Sequence, residues 1–146
     1  MKKVSRKEMD NLIKIRIKKL KEVNAGKIDS HIDDQAATDF RMAKLLHATL
    51  TNARMSGADL SRARLIGANL SGADLSKADL IGANLCKANL SGANLSEARL
   101  VFSYLMGADL SGANLHNADL KEAKYDQTTK WPEGFDPIAA GAILKV

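Results

Sequence analysis

A period of five residues runs through the middle of this chain and limits its fold more than any other feature. From Phe40 to Tyr125 every fifth residue is large and apolar, at eighteen positions in all. Two residues before each of them lies Ala, except at Thr38 and Ser103, which are also small. A five-residue period fits neither an α-helix nor a continuous strand, so each unit must contain its own change of direction. Positions two apart in an extended segment share a face, and we therefore predict that both columns point inward.

The other three positions of each unit belong on the outside and at corners. They are mostly Ser, Asp, Asn, Arg, Lys and Gly, and Gly fills the last of them at 57, 67, 72, 82, 92, 107 and 112. Glycine and small polar residues favour tight turns. If each unit turns the chain by roughly a right angle, four units close a coil of about 20 residues, and successive coils stack about 4.8 Å apart. Eighteen units then predict about four and a half coils, roughly 22 Å long.

The repeat carries a resemblance to a known family. From Ala58-Asp59-Leu60-Ser61 to Ala118-Asp119-Leu120 the sequence resembles the Ala-Asp/Asn-Leu-x-x units of pentapeptide-repeat proteins. The resemblance implies an all-β solenoid, a right-handed quadrilateral β-helix. A triangular hexapeptide solenoid is excluded because it needs a period of six. Most members of this family have no assigned biochemical role, and a fold does not fix a function.

The two ends depart from the repeat, which gives three predicted segments: 1–37, 38–126 and 127–146. Ser5 and Glu8 form a capping-box pattern, and apolar residues then recur at helical spacing, so we predict an amphipathic α-helix over 6–24. Residues 1–21 hold nine Lys or Arg. The helix is expected to cover the N-terminal coil end; alternatively, its basic face also makes peripheral contact with an anionic membrane or a partner.

The C-terminal segment changes composition abruptly. It contains Trp131 and Phe135, large rings that suit a plug for the open end of the last coil. We therefore predict a capping tail over 127–146. An aromatic hook for a ligand is the alternative interpretation.

The sequence offers little for catalysis or for a cofactor. The serines that follow the inward Leu, such as Ser61 and Ser71, are repeat positions and form a solvated ladder. His31, His47 and His116 lie in different units without metal-ligand spacing. We predict no enzyme activity, no cofactor and no metal. Nucleic-acid binding is not expected either, because the basic residues lack interleaved aromatics.

Cysteine content and hydropathy bear on the compartment. Cys86 is the only cysteine, so no intramolecular disulfide forms, which favours a cytoplasmic location. The apolar residues from Leu12 to Leu20 are interrupted by four Lys or Arg, which leaves no apolar core for export or for membrane spanning.

Apolar residues at outward positions form the least expected pattern of the repeat. Taken every 20 residues, the position after the inward Leu holds Leu46, Ile66, Cys86 and Met106, here called the apolar stripe. Four more apolar or aromatic residues are predicted beside it: Ile81, Val101, Phe102 and Tyr104. Exposed contiguous apolar surface usually marks an interaction site. We expect either another protein or a second copy to bind here, or else the N-terminal helix or the tail to fold back over the stripe.

A column of acidic residues is predicted on the adjacent face. It contains Asp39, Asp59, Asp79 and Asp119 and is interrupted by Arg99. Stacked acids resemble those of fluoroquinolone-resistance members of the family, which imitate B-form DNA and occupy topoisomerase. The sequence thus predicts a structural or protein-interaction module that uses the apolar stripe, with a DNA-mimicking modulator of a type II topoisomerase as the alternative.

Overall fold

The computed structural model describes residues 11, 14, 15, 17, 18 and 39–146. The five N-terminal residues of this set are helical, within the helix predicted over 6–24. Ile17 is half-buried and packs against the apolar core, whereas Ile15 is exposed. The remainder of the predicted helix, its capping box and the connector over 27–37 lie outside the described residues.

Residues 39–125 form a regular parallel coil. Bridges join each central residue of a unit to the residue twenty positions later, as in Asp39 to Asp59 and Arg64 to Asn84. The hydrogen bonds alternate in direction. The Leu60 N–H donates to the Asp79 carbonyl at 2.7 Å, and the Arg64 N–H donates to the Ala43 carbonyl at 2.8 Å. Four units therefore complete one coil, which agrees with the four-sided solenoid that the family resemblance implies.

A tight turn closes each unit. In a representative one the Ala63 N–H donates to the Leu60 carbonyl at 3.0 Å, and the residue before it, Arg62, has a φ of 56°. A negative φ at the second residue and a positive φ at the third are the features of a type II turn. Glycine adopts this conformation at no steric cost, which explains its frequency at this one position of the repeat.

The core consists of the two predicted inward columns. Leu60 to Leu110 and most of the alanines between them are fully buried. Toward the ends burial becomes incomplete: Ala48 and Ala118 are only partly buried, and Leu115 is 8% exposed. The coil buries the same two side-chain types at every level, so its apolar contribution to stability is spread evenly along the axis.

The ladder continues past Tyr125 into the segment predicted as a tail, but out of phase. Strand β1, Lys124–Tyr125, pairs in parallel with strand β2, Ile143–Leu144. Lys130 pairs with Asp109, which is 21 residues away instead of 20. Thr129 takes the place of the inward Ala and donates its hydroxyl hydrogen to the Leu105 carbonyl at 2.9 Å. One extra residue between Tyr125 and Thr129 therefore shifts the register without ending the coil.

Three aromatic rings pack at this end of the core. The Tyr125 and Trp131 rings meet edge to face with centroids 5.3 Å apart, and Trp131 stacks on Phe135 at 5.3 Å. Trp131 and Phe135 both contact the buried cluster. They lie where the sequence predicts a plug.

The bridges arrange the outward residues in four columns, one on each wall of the coil. Two adjacent walls matter for function. The acidic wall has Asp39, Asp59, Asp79, Arg99 and Asp119 as its outward residues. The Tyr104 wall has Lys44, Arg64, Asn84, Tyr104 and Lys124. Five residues separate neighbouring members of the two columns, so the walls meet at one corner, here called the shared corner.

Candidate interaction site

The apolar stripe lies on the corner at the far side of the Tyr104 wall. Hydrogen bonds from the next turn residues hold its members in line, because the Gly67 N–H donates to the Cys86 carbonyl and the Lys87 N–H to the Met106 carbonyl, both at 2.9 Å. Leu46 is 42% exposed, and the other three stripe residues are partly exposed. The structure thus brings the four predicted residues together as a ladder with one member in each coil.

A polar turn ends the stripe on its C-terminal side. Asp126 follows Met106 at the same corner, and its carboxylate accepts a hydrogen bond from the Gly107 N–H at 3.2 Å. The carboxylate also accepts the Thr128 hydroxyl hydrogen at 2.6 Å, and this bond lowers the pKa of Asp126 most. The tail therefore closes the C-terminal end of this corner, while Leu46 at its other end stays exposed to solvent.

Cys86 is a free, partly buried cysteine within the apolar stripe. Burial raises its pKa, and the weaker opposing effects of a backbone hydrogen bond from Met106 and of nearby Lys87 do not reverse the shift. Because the thiolate is the nucleophilic form, a raised pKa makes the side chain less reactive. Its contribution at this site is apolar surface.

The second apolar group occupies the shared corner. Ile81 and Val101 are stacked there, and Phe102 is 55% exposed with a φ of 58°. A bulky residue in this left-handed conformation is strained, by roughly 1 kcal/mol. Among the described residues, no aromatic ring stacks on Phe102 to offset the strain. Apolar groups therefore edge the Tyr104 wall on both of its sides.

Between these edges the Tyr104 wall carries cations and one aromatic ring. Tyr104 is 36% exposed, and the Lys124 ammonium lies 4.8 Å from the centre of its ring. Lys44 and Arg64 are exposed in the same column. These cations are not predicted as a group from the sequence, although the central position of every fourth unit, twenty residues apart, contains the signal that locates them.

The carboxylates of the acidic column are partly neutralised by arginines. Arg41 bonds Asp39 at 2.8 Å and approaches Asp59 at 3.7 Å, and Arg99 bonds Asp79 at 3.1 Å. The carboxylates also stabilise the turns next to them. Those of Asp59, Asp79 and Asp119 each accept a hydrogen bond from the N–H two residues later, which supports the turn.

Metal-binding groups are not assembled in the part of the chain that the structure describes. Residues 11, 14, 15, 17, 18 and 39–146 contain no cluster of three His, Cys, Asp or Glu side chains that could hold an ion. His47 and His116 are both exposed and lie in different coils; His31 lies outside the described residues. The same residues include no helix long and apolar enough to cross a membrane.

The geometry defines a class of protein: a parallel β-solenoid with 20-residue coils, four walls and an outward surface that varies while the core repeats. A family model described as pentapeptide repeats matches eight copies over residues 36–65, 53–92 and 88–124. The chain therefore belongs to the pentapeptide-repeat family, whose members form right-handed quadrilateral β-helices.

One solved structure supports this assignment. The chain is similar to alr5209, a pentapeptide repeat protein from Nostoc Pcc 7120, with 38% identity, coverage of 92% of this chain and 93% of that one, and a TM-score of 0.50. It is also similar to AT2G44920, from the Arabidopsis thaliana thylakoid lumen, with 30% identity over 62% and 63% of the two chains and a TM-score of 0.46.

A more distant structure is QnrB1, a plasmid-mediated fluoroquinolone resistance protein. It shares 19% identity over 73% of this chain and 67% of that one, with a TM-score of 0.36. The comparison with curated proteins gave no match.

Proposed function

We propose that this protein is a non-catalytic protein-interaction module whose contact surface is the apolar stripe together with the apolar residues of the shared corner. The observation that carries the proposal is the exposure of Leu46, Phe102 and Tyr104 on a coil whose other outward positions are almost all polar. A coil of this kind needs no outward apolar residue for its own stability, because its core is complete without them. Contiguous apolar surface on a folded protein marks an interaction site.

The described residues of the C-terminal tail pack elsewhere and do not cover this apolar surface. β2 pairs with β1 at the end of the Tyr104 wall, and the rings of Trp131 and Phe135 pack against the core. The described helical residue Ile17 also packs against the core. These contacts favour coverage of the core by the described residues of the two terminal segments, and none of these contacts involves the stripe.

The test compares two double variants that differ only in which corner they change. Ile66→Lys with Met106→Lys places two charges in the stripe. Ser76→Lys with His116→Lys places the same charges ten residues later, half a coil away, on the diagonally opposite corner. We expect immobilised wild-type protein and the control variant to retain the same partner from a lysate of the source cells, and the stripe variant to lose it at least tenfold.

Circular dichroism and thermal unfolding decide whether each variant is folded. Equal retention by a folded stripe variant would contradict the proposal. Unfolding of the stripe variant alone would also contradict it, since that result assigns the stripe to intramolecular packing.

DNA mimicry remains the alternative function and has weaker support. Its motivating feature is the acidic column, yet Arg41 and Arg99 pair with three of its carboxylates. A DNA-like surface requires unneutralised charge at regular intervals. Inhibition of gyrase supercoiling by the purified protein would establish this alternative, and its absence at a large molar excess would remove it.

A further inference from the structure

The outward side chains of the acidic wall and the Tyr104 wall are complementary within each coil. The two residues that one coil contributes to these walls are here called a level. In four successive coils the acidic wall presents Asp59, Asp79, Arg99 and Asp119, while the Tyr104 wall presents Arg64, Asn84, Tyr104 and Lys124. At each level the two side chains form a recognisable pair: carboxylate with guanidinium, carboxylate with amide, guanidinium with aromatic ring, and carboxylate with ammonium. Pairs of these kinds are attractive across an interface.

Among the described residues of one chain, the side chains of these two columns do not form ion pairs with each other. Both members of a level lie on the same coil but on adjacent walls, which face directions about 90° apart. Among the described residues, the ion pairs are Arg41 with Asp39 and Asp59, Arg99 with Asp79, and Lys130 with Asp109. None of them joins the two columns. The complementary pairs therefore form only when the acidic wall of one copy meets the Tyr104 wall of another.

The right angle between the walls determines how such a contact repeats. When one copy is rotated by a quarter turn about an axis parallel to the coil, its acidic wall faces the Tyr104 wall of its neighbour with the coils at equal height. Four such rotations return to the first copy, so this head-to-tail contact closes into a ring. In the closed ring, every acidic wall and every Tyr104 wall therefore has a partner.

The shared corner points toward the axis of that ring. Ile81, Val101 and Phe102 from four copies would converge there and be removed from water. Phe102 is 55% exposed in the single chain, so its burial in the ring supplies a gain that the isolated coil lacks. The apolar stripe lies on the opposite edge of the Tyr104 wall, at the outside of the ring, where it stays accessible to another protein.

We propose that four copies of this chain assemble head to tail into a closed ring, with the acidic wall of each copy against the Tyr104 wall of the next. The inference rests on the proposed function as an interaction module and names the partner for one part of its surface, a second copy. Each copy contributes two walls to the ring, and the desolvated charges keep partners on both sides, which limits the cost of burying them.

The first measurement is the mass of the purified full chain in solution. Light scattering coupled to size exclusion, over a concentration series, is expected to show a species of about four times the chain mass of 15.7 kDa. A monomer at every concentration, or a dimer as the largest species, would overturn the ring.

Charge reversal then tests which walls are used. Arg64→Glu is expected to dissociate the ring, because the changed side chain faces Asp59 of the neighbour. Arg54→Glu is the matched control, since it makes the same change ten residues earlier, on the opposite wall, and should leave the mass unaltered. Equal effects of the two variants would contradict the wall assignment.

Mixing two dissociated variants provides the sharpest test. Asp59→Lys alone should also fail to assemble, because its new charge faces Arg64. When Asp59→Lys and Arg64→Glu chains are mixed, every contact in an alternating ring is again between opposite charges, so the ring is expected to return. Two variants that merely misfold would not restore each other, and a mixture that stays monomeric would refute the head-to-tail contact.

These outcomes separate this inference from the proposed function. A monomeric wild type that still binds a partner through Ile66 and Met106 would leave the interaction module standing and remove only the ring. A monomeric wild type whose stripe variant also keeps its partner would contradict both proposals.

Discussion

Ser103 occupies an inward column in which nearly every other residue is alanine. It is fully buried, and its hydroxyl oxygen has no hydrogen-bond partner among the residues that the structure describes. A buried hydroxyl without a partner loses its bonds to water and gains nothing in return. The two-residue spacing predicted that this side chain points inward, but only the surrounding geometry shows that nothing there accepts its proton.

Replacing this serine is therefore expected to stabilise the protein. Ser103→Ala removes the unpartnered oxygen and leaves the rest of the side chain in place, so the free energy of unfolding should rise by about 1 kcal/mol. Urea unfolding followed by circular dichroism measures the change. Ser61→Ala is the control, because the Ser61 hydroxyl donates to Asp59 at 2.6 Å and its loss should not stabilise the fold. A lower stability for Ser103→Ala would show that the hydroxyl has a partner in solution.

At the scale of the elements, the coil and its ends differ in how far the sequence predicts them. The period of five predicts the inward columns and a change of direction in each unit, because each unit repeats the same local chemistry. The four-sided, 20-residue coil is what the family resemblance implies. It does not predict the pairing of Lys130 with Asp109, since one extra residue breaks the count. The pattern of Thr129 and Trp131, small and large two residues apart, carries the missing signal, but Thr and Trp do not resemble the Ala and Leu of the repeat.

The aromatic stack at this end should control the stability of the last coil. Trp131→Ala removes the ring that contacts both Tyr125 and Phe135 and should destabilise the protein by about 3 kcal/mol. The loss should appear locally in amide exchange. Protection of the Leu110 N–H, which donates to the Lys130 carbonyl, should fall more than protection of the Leu60 N–H near the other end. Equal loss at both amides would show that the coil opens only as a whole.

Considered as a whole, the molecule is a stack in which each coil contacts its neighbours along one axis. Stability in such a stack is close to a sum of coil and interface contributions, so a change in the middle weakens two interfaces, and a change at an end weakens one.

The functional surface is harder to predict from the sequence than the core. The sequence predicts the apolar stripe and the acidic column, but the pairing of Arg41 and Arg99 with that column emerges only from side-chain geometry.

Position along the stack should determine the cost of identical core truncations. Leu80→Ala, at a fully buried central site, should lower the free energy of unfolding by roughly 4 kcal/mol, and Leu115→Ala, at an end where the side chain is 8% exposed, by roughly 2 kcal/mol. Chemical denaturation of the two variants in parallel provides the comparison. Equal costs would indicate that the terminal segments cover the last coil as completely as coils cover one another.

The turn after every fifth residue and the bridge at every twentieth have different consequences for a lineage of such chains. Inserting or deleting a single unit leaves every Leu and Ala facing inward, yet it moves all later outward residues to the next wall. Only a change of four units restores their alignment. The interior thus tolerates length changes in steps of five, whereas a binding surface that spans several coils tolerates them in steps of twenty, and duplicated stretches that preserve such a surface should be whole coils.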